Sequence, residues 1–422
     1  MLKNLLFIFS LYLPFQIALN PFSSVDLASV RVLVLSLFFL WIFIGFYRKK
    51  LIIPFDRSAL FVFSFLFFSA FSLLLATNPA WGMRKLAFLF SIFPLYFIFS
   101  ILKNDLKWVI KISRGLVWGS SAAALVGILQ FVSQFVFGLE RMLIFWGKHI
   151  TPIFLGNTFS QAVLENPSWL VNLSGKTIFR AISVFPDPHM FSFYMGMTAP
   201  IALAIFYHYD FQKKFYLFSF LLIILADFLT FSRGGYLALI FTVLLFSFIG
   251  IKNISKNQRH LFFIFLFLLL FFFVFLIAPV RNRFLASFSL QEGSNSGRIE
   301  MWSQALKSLQ RRPLGVGLGN FPLEVKPTAS YRDPIYAHNL YLDIAAETGL
   351  LGLLSWLALI VSVGYSFFHK AKQNLIYFGF LASLCVFSIH SLVETPLFSV
   401  HILSLFLIII SLANERLSSP NN

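Results

Sequence analysis

Three features of the sequence predict an all-α polytopic membrane protein. Of the 422 residues, 59% are hydrophobic and 12% charged, with a mean hydropathy of +0.83. Apolar runs of about 17–25 residues recur along the chain, the length a helix needs to cross a bilayer that offers no partners to open backbone. Those runs are interrupted by two long polar stretches, residues 139–189 and 280–348. The 58 Phe residues supply bulk for a lipid-facing surface. Cys385, the single cysteine, lies inside an apolar run, which excludes disulfides and cysteine–metal chemistry.

About twelve spans follow in order, roughly 5–19, 29–47, 59–76, 86–102, 115–138, 190–207, 215–231, 235–250, 261–279, 349–368, 375–392 and 398–413. The first has the basic start (Lys3) and apolar core of a signal peptide. No small-x-small cleavage site follows cleanly, so it is read as a helix. Spans seven and eight turn on Arg233-Gly234-Gly235. Residues 1–422 are read as one membrane domain, with no internal repeat.

Charge orients these spans. With the N-terminus inside, basic residues gather on the inner segments, among them Arg48, Lys49, Lys50 and Arg57, then Lys103, Lys107, Lys111 and Arg114, then Lys252, Lys256 and Arg259, and last Arg416. The short outer connections hold Arg84, Lys85 and Arg233. The positive-inside rule then predicts a multi-pass protein of the bacterial inner membrane with both termini cytoplasmic and the loops 139–189 and 280–348 in the periplasm. The net charge of +17 thereby reflects orientation and contact with anionic lipid, not nucleic acid.

The large loop between spans nine and ten is partly helical. Ile299, Trp302, Leu306 and Leu309 form one apolar stripe of a helix over 298–312, which predicts an interfacial helix with Trp302 as a headgroup-level anchor. Arg298 opens that helix after a Gly/Ser run, where free backbone N–H groups also attract anions. The glycines from Pro313 to Asn320 lack the strand and the Lys-Ser/Thr of a phosphate loop and read as a tight connection. His338-Asn339 follows, with Leu340, Ile344 and Glu347 continuing one helical face until Gly349 ends it. An outward-facing imidazole can exchange a proton near neutral pH and is a candidate general base.

Arg180, before Phe185-Pro186-Asp187-Pro188-His189, and Arg233, with Asp227 as a possible partner, lie near the outer membrane level, as does Arg31. Arginine at such depth faces the protein interior and pairs with something. The glycines after Arg233 are read as turning the backbone and opening space around the guanidinium. Several guanidinium forks converging on one pocket suit a diphosphate. Carboxylates are scattered in the outer loops, so no metal ligand set is predicted and no cofactor is called for.

Taken in order, Ser232-Arg233-Gly234-Gly235, Gly297-Arg298 with Trp302, Pro313 to Phe321, His338-Asn339, Glu347-Thr348-Gly349 and His390-Ser391-Leu392-Val393-Glu394 resemble the O-antigen ligase and O-antigen polymerase superfamily of bacterial membrane glycosyltransferases. The resemblance covers about residues 180–400. It implies a GT-C-like fold and a glycan donor on undecaprenyl diphosphate. The acceptor would be lipid A–core in a ligase and another lipid-linked glycan in a polymerase. By the same resemblance Arg180, Arg233 and Arg298 grip the donor diphosphate, His338 activates the acceptor hydroxyl, and Asn339, Glu347, Asp187 and Trp302 support them. Pro186-Asp187 stands where a Pro-Asn pair is commoner in the family. The expected reaction is a metal-independent displacement of the inverting type. A protein acceptor is a third option. A transporter of a small anion or lipid-linked sugar is the rival from another class, but it would carry paired broken helices at the bilayer midplane, which the sequence lacks.

Overall fold

The computed structural model describes residues 1–22, 25–51, 53, 55–165, 167–173, 175–208, 213–249, 281, 293–331 and 335–413. The predicted span 261–279, and with it Lys252, Lys256, Arg259 and Arg416, lies outside the described residues. The chain is mostly helical. In chain order the α-helices are α1 Leu2–Tyr12, α2 Ser29–Tyr47, α3 Arg57–Phe71, α4 Pro79–Ile92, α5 Pro94–Ser100 and α6 Leu106–Phe137. Then come α7 Leu139–Phe145, α8 Thr151–Leu155, α9 Asn157–Glu165, α10 Pro188–His208, α11 Lys213–Phe228 and α12 Arg233–Ile249. The last five are α13 Gly293–Arg311, α14 Phe321–Val325, α15 Leu340–Ala371, α16 Leu375–His390 and α17 Val400–Ser411. Among the described residues, six helical segments are long and apolar enough to cross a membrane, and four shorter apolar ones accompany them.

Side-chain caps set several starts. Asp56, Asn78, Asp105, Asn339 and Asn374 each accept from a backbone N–H of the first turn of α3, α4, α6, α15 and α16. Two caps also tie helices together: Asp56 pairs with Lys103 and accepts from Tyr96 Oη at 2.9 Å, and Asp105 pairs with Lys3 at 2.8 Å. The core is a single large apolar cluster, with α10 packed on α16 and α11, and α15 on α3 and α16.

Two expectations change, and one loop proves to be folded. The first span does not run to residue 19: α1 tightens into a 3-10 turn over Leu13–Phe15, with Pro14 in it. The chain then forms an antiparallel hairpin, β1 Ala18–Phe22 with β2 Val25–Ala28. The fourth span starts at Pro79 rather than 86, and α4 passes into α5 at Pro94. Residues 139–182 form a folded unit. Helices α7 to α9 and the hairpin β3 Leu170–Leu173 with β4 Lys176–Phe179 enclose a small core of Met142, Trp169, Phe179 and Ile182.

That unit is fastened to α6 by two glutamines one turn apart. Gln134 accepts from Phe179 N at 2.7 Å and donates to Phe179 O at 2.7 Å. Gln130 accepts from Ile182 N at 2.9 Å and donates to Arg180 O at 3.1 Å. The segment carrying Arg180 is therefore gripped by its backbone on both sides.

The helix expected over 298–312 starts five residues earlier, at Gly293. Arg298 is therefore inside it, not at the end where free N–H groups would attract an anion. Its buried face is Ala305 and Ser308 with half-buried Trp302, whereas Ile299 and Leu306 are exposed. Trp302 packs on a small core of Ala305, Val316, Phe321, Ala337 and Ala346, so it ties α13 to the start of α15.

The glycine run is the tight connection expected. Gly315, Gly317 and Gly319 all have positive φ, and a Cβ at Gly315 would fall 2.5 Å from Glu347 O. Val316 N and Gly317 N donate to Ala346 O and Glu347 O at 2.8 and 3.0 Å, and Leu350 N donates to Pro313 O at 2.9 Å. These bonds satisfy two carbonyls and the Leu350 N–H left open where Gly349 (φ 72°) breaks α15 in two.

Candidate active site

Glu394 is the centre of the site. It lies in the turn between α16 and α17, 7% exposed. Arg298 Nη2 donates to its Oε1 at 2.6 Å, and His338 Nδ1 meets its Oε2 at 3.2 Å. His189 Nδ1 stands 3.7 Å from Oε1 and 3.1 Å from Ser232 Oγ. One carboxylate thus gathers side chains from α13, the segment before α15 and the start of α10. His338 is the most open of them, its side chain 47% exposed.

Charge follows from this geometry. Burial opposes ionisation of Glu394, but His189, the His338 hydrogen bond and Arg298 outweigh it and hold the carboxyl well below its ordinary range. In return the hydrogen bond to Glu394 raises the His338 pKa above its ordinary 6.5. Burial and Arg298 oppose that rise, while Asp343 adds to it. An ionised carboxylate at Nδ1 fixes the tautomer, so in the neutral ring Nε2 is the basic nitrogen. The backbone at His338 is left-handed (φ 51°), a conformation L side chains rarely adopt and one that clusters at functional sites.

The three arginines are held differently. Arg180 is buried, with Nε donating to Thr230 O at 2.6 Å and Nη1 to Ser168 O at 3.2 Å. These bonds, with Ala181 N to Leu229 O at 2.9 Å, lash that folded unit to the turn before Arg233. Arg233, 8% exposed, opens α12 beside the Glu394 turn: a Cβ at Gly234 would come within 2.7 Å of Val393 and 2.8 Å of His390 Nε2. A Cβ at Gly235 would strike Ser192 Oγ at 2.0 Å. The two glycines therefore serve close helix packing, and the sharp turn falls on Phe231 (φ 51°) instead.

The supporting residues are structural members of the site. Asp187 accepts from His189 N and Met190 N at 2.7 and 2.9 Å, capping α10, and burial pushes its pKa up to about 6. Asn339 caps α15 through Tyr341 N and Leu342 N, one residue after His338. Glu347 forms a buried ion pair with Lys85 at 2.8 Å, and Phe398 and Tyr336 face the same ammonium. Lys85 is therefore inside the protein rather than on a bare outer connection. Arg31 donates to Ser91 Oγ at 2.8 Å, within α2–α4 packing.

Glu394 and His189 do not stand out as site residues in the sequence. Glu394 is visible there only as the end of the His390–Glu394 motif, and nothing local reveals that it meets a histidine 56 positions away.

A helical, membrane-type scaffold thus brings together a buried carboxylate, two imidazoles and a guanidinium. The model of the family described as O-Antigen ligase matches residues 218–357. That segment is similar to this family, consistent with the ligase and polymerase superfamily that the motifs resemble, and supports a glycosyltransferase-like membrane enzyme. The match contains Arg233, Arg298 and His338, while Arg180, His189 and Glu394 lie outside it. No curated protein matches the chain.

Proposed function

We propose that this chain transfers a glycan from undecaprenyl diphosphate to lipid A–core on the periplasmic face of the inner membrane. The observation that carries this reading is the Glu394-centred contact of His338 and Arg298. The acceptor hydroxyl attacks the anomeric carbon and gives its proton to His338 Nε2. The bond from that carbon to the diphosphate oxygen breaks, and undecaprenyl diphosphate leaves. Attack opposite the leaving group makes the step inverting.

Charge grows on the leaving diphosphate, and arginines placed before the reaction stabilise it as an oxyanion hole does. Arg298 is already fixed by Glu394, so little side-chain freedom is lost when the donor arrives. Arg180 is tied through Thr230 O to the turn that leads into Arg233. Because permanently charged guanidinium groups supply the positive charge, EDTA is expected to leave the reaction running.

Deleting the gene in its native host tests the assignment. Lipid A–core stripped of glycan, together with accumulating long lipid-linked glycan, is the expected result. Lipid A–core carrying single repeats would make the chain a polymerase. Unchanged fractions would refute lipid A–core and lipid-linked acceptors and leave a protein acceptor or transport.

A further inference from the structure

One buried carboxylate touches both neighbours of the reactive pair. Asp343, in the first part of α15, is 6% exposed. Its Oδ1 accepts from the backbone N–H of Ala337, the residue before His338, at 2.8 Å. Its Oδ2 accepts from the hydroxyl of Thr395, the residue after Glu394. His338 and Glu394 come from segments with no covalent tie nearby, and Asp343 bridges those segments from behind.

Two further features indicate that the bridge has work to do. His338 is held in the left-handed region, which persists only where its surroundings over-determine it. The contact it supports is 3.2 Å long, and such contacts weaken steeply with small displacements. Ala337 is fully buried, so its N–H would lose its partner without the carboxylate. Leu340 N donating to Ser391 O at 2.9 Å and Tyr341 Oη donating to Ser388 O at 2.9 Å also join the same two segments.

We infer that Asp343 is a positioning residue that sets the His338–Glu394 contact by holding Ala337 and Thr395 together. The inference deepens the reading of His338 as base and rests on it. Asp343 touches neither substrate nor the imidazole; it acts through the backbone before one partner and the side chain after the other.

The test needs no substrate. Diethylpyrocarbonate acylates neutral imidazole, so the pH at which the His338 peptide is half-modified, read by mass spectrometry on the full chain in detergent, reports its protonation. The charged or titratable groups facing that ring are Glu394, Arg298 and Asp343, and burial pushes the Asp343 carboxyl itself up to about 7. In the wild-type protein the half-point is expected above the ordinary 6.5, because the Glu394 hydrogen bond favours the protonated ring. Asp343→Ala is expected to bring it back toward that value. Asp343→Asn, whose amide still accepts from Ala337 and donates to Thr395, is expected to stay near wild type.

Equal shifts for Ala and Asn would overturn the clamp in favour of through-space charge, and no shift for Ala would overturn it outright. Should Asp343→Ala fail to fold, Thr395→Val keeps the charge and removes one arm; the half-point is then expected to fall part of the way, and an unmoved one contradicts the clamp. Glu394→Gln separates this inference from the base assignment. If it leaves the half-point unmoved, the pair itself is absent and both readings fall. If it moves the half-point while Asp343→Ala does not, only the clamp falls.

Discussion

His338 holds a left-handed backbone that costs an L residue about 1–3 kcal/mol, and the contact it gains is with a carboxylate held well below its ordinary range. That pairing has a pH consequence. A base must be neutral, and Glu394 raises the pKa at which His338 becomes so. Transfer is therefore expected to fall on the acid side at a pH above 6.5, where an unpaired imidazole would still be mostly neutral. Glu394→Gln removes the charge, so its residual rate should fall away at lower pH than the wild type. A steady-state rate profile over pH 5 to 9 checks this; an acid limb unmoved by the substitution would separate the limb from His338. At this scale the sequence identifies residue types well. His338 and the arginines stand out because charged or titratable groups in an apolar chain are few. Glu394 does not, because its meaning comes from a partner 56 positions away.

At the scale of elements, the decisive device is the interlock of the glycine run with the break in α15. Gly315 and Gly349 are left-handed and face each other's backbones, and a Cβ on Gly349 would lie 2.4 Å from Leu314 C. Gly315→Ala is therefore expected to destabilise the protein by more than about 2 kcal/mol, through both φ strain and collision. Gly297→Ala is the control: it lies in helix α13, with nothing within 4 Å of its added Cβ, and should be neutral or stabilising by about 0.5–1 kcal/mol. Thermal unfolding of the two variants in detergent compares them. Span periodicity and glycine spacing are enough to read α2, α10 and the break at Gly349 from the sequence. The folded unit that packs on Gln130 and Gln134 is hidden, because short helices and a hairpin of four-residue strands carry little periodic signal. The stripe on α13 misleads, since small Ala305 and Ser308 face the core while Ile299 and Leu306 face outward.

Across the whole molecule, long-range pairs join what composition alone leaves as separate helices. Lys85 on α4 and Glu347 on α15 form an ion pair in which both side chains are under 10% exposed. Removing one partner strands the other charge, so Lys85→Met is expected to cost about 3–5 kcal/mol, measured by thermal unfolding against the wild-type chain. Lys85 counts toward outer-side charge when the sequence is read, but its role inside the fold is visible only in three dimensions. The buried pair and the Glu394 cluster lie at the same end of α15, so the scaffold and the chemistry share one helix.

The central claim is that His338 on Glu394 drives glycan transfer. The most direct measurement places His338→Asn, a side chain that tolerates the left-handed backbone, in the deletion host at wild-type abundance, and follows glycan on lipid A–core against glycan on undecaprenyl diphosphate. Transfer reduced by about 10²–10⁴-fold, with the lipid-linked form accumulating, is the expected result. Full transfer by this variant would contradict the account.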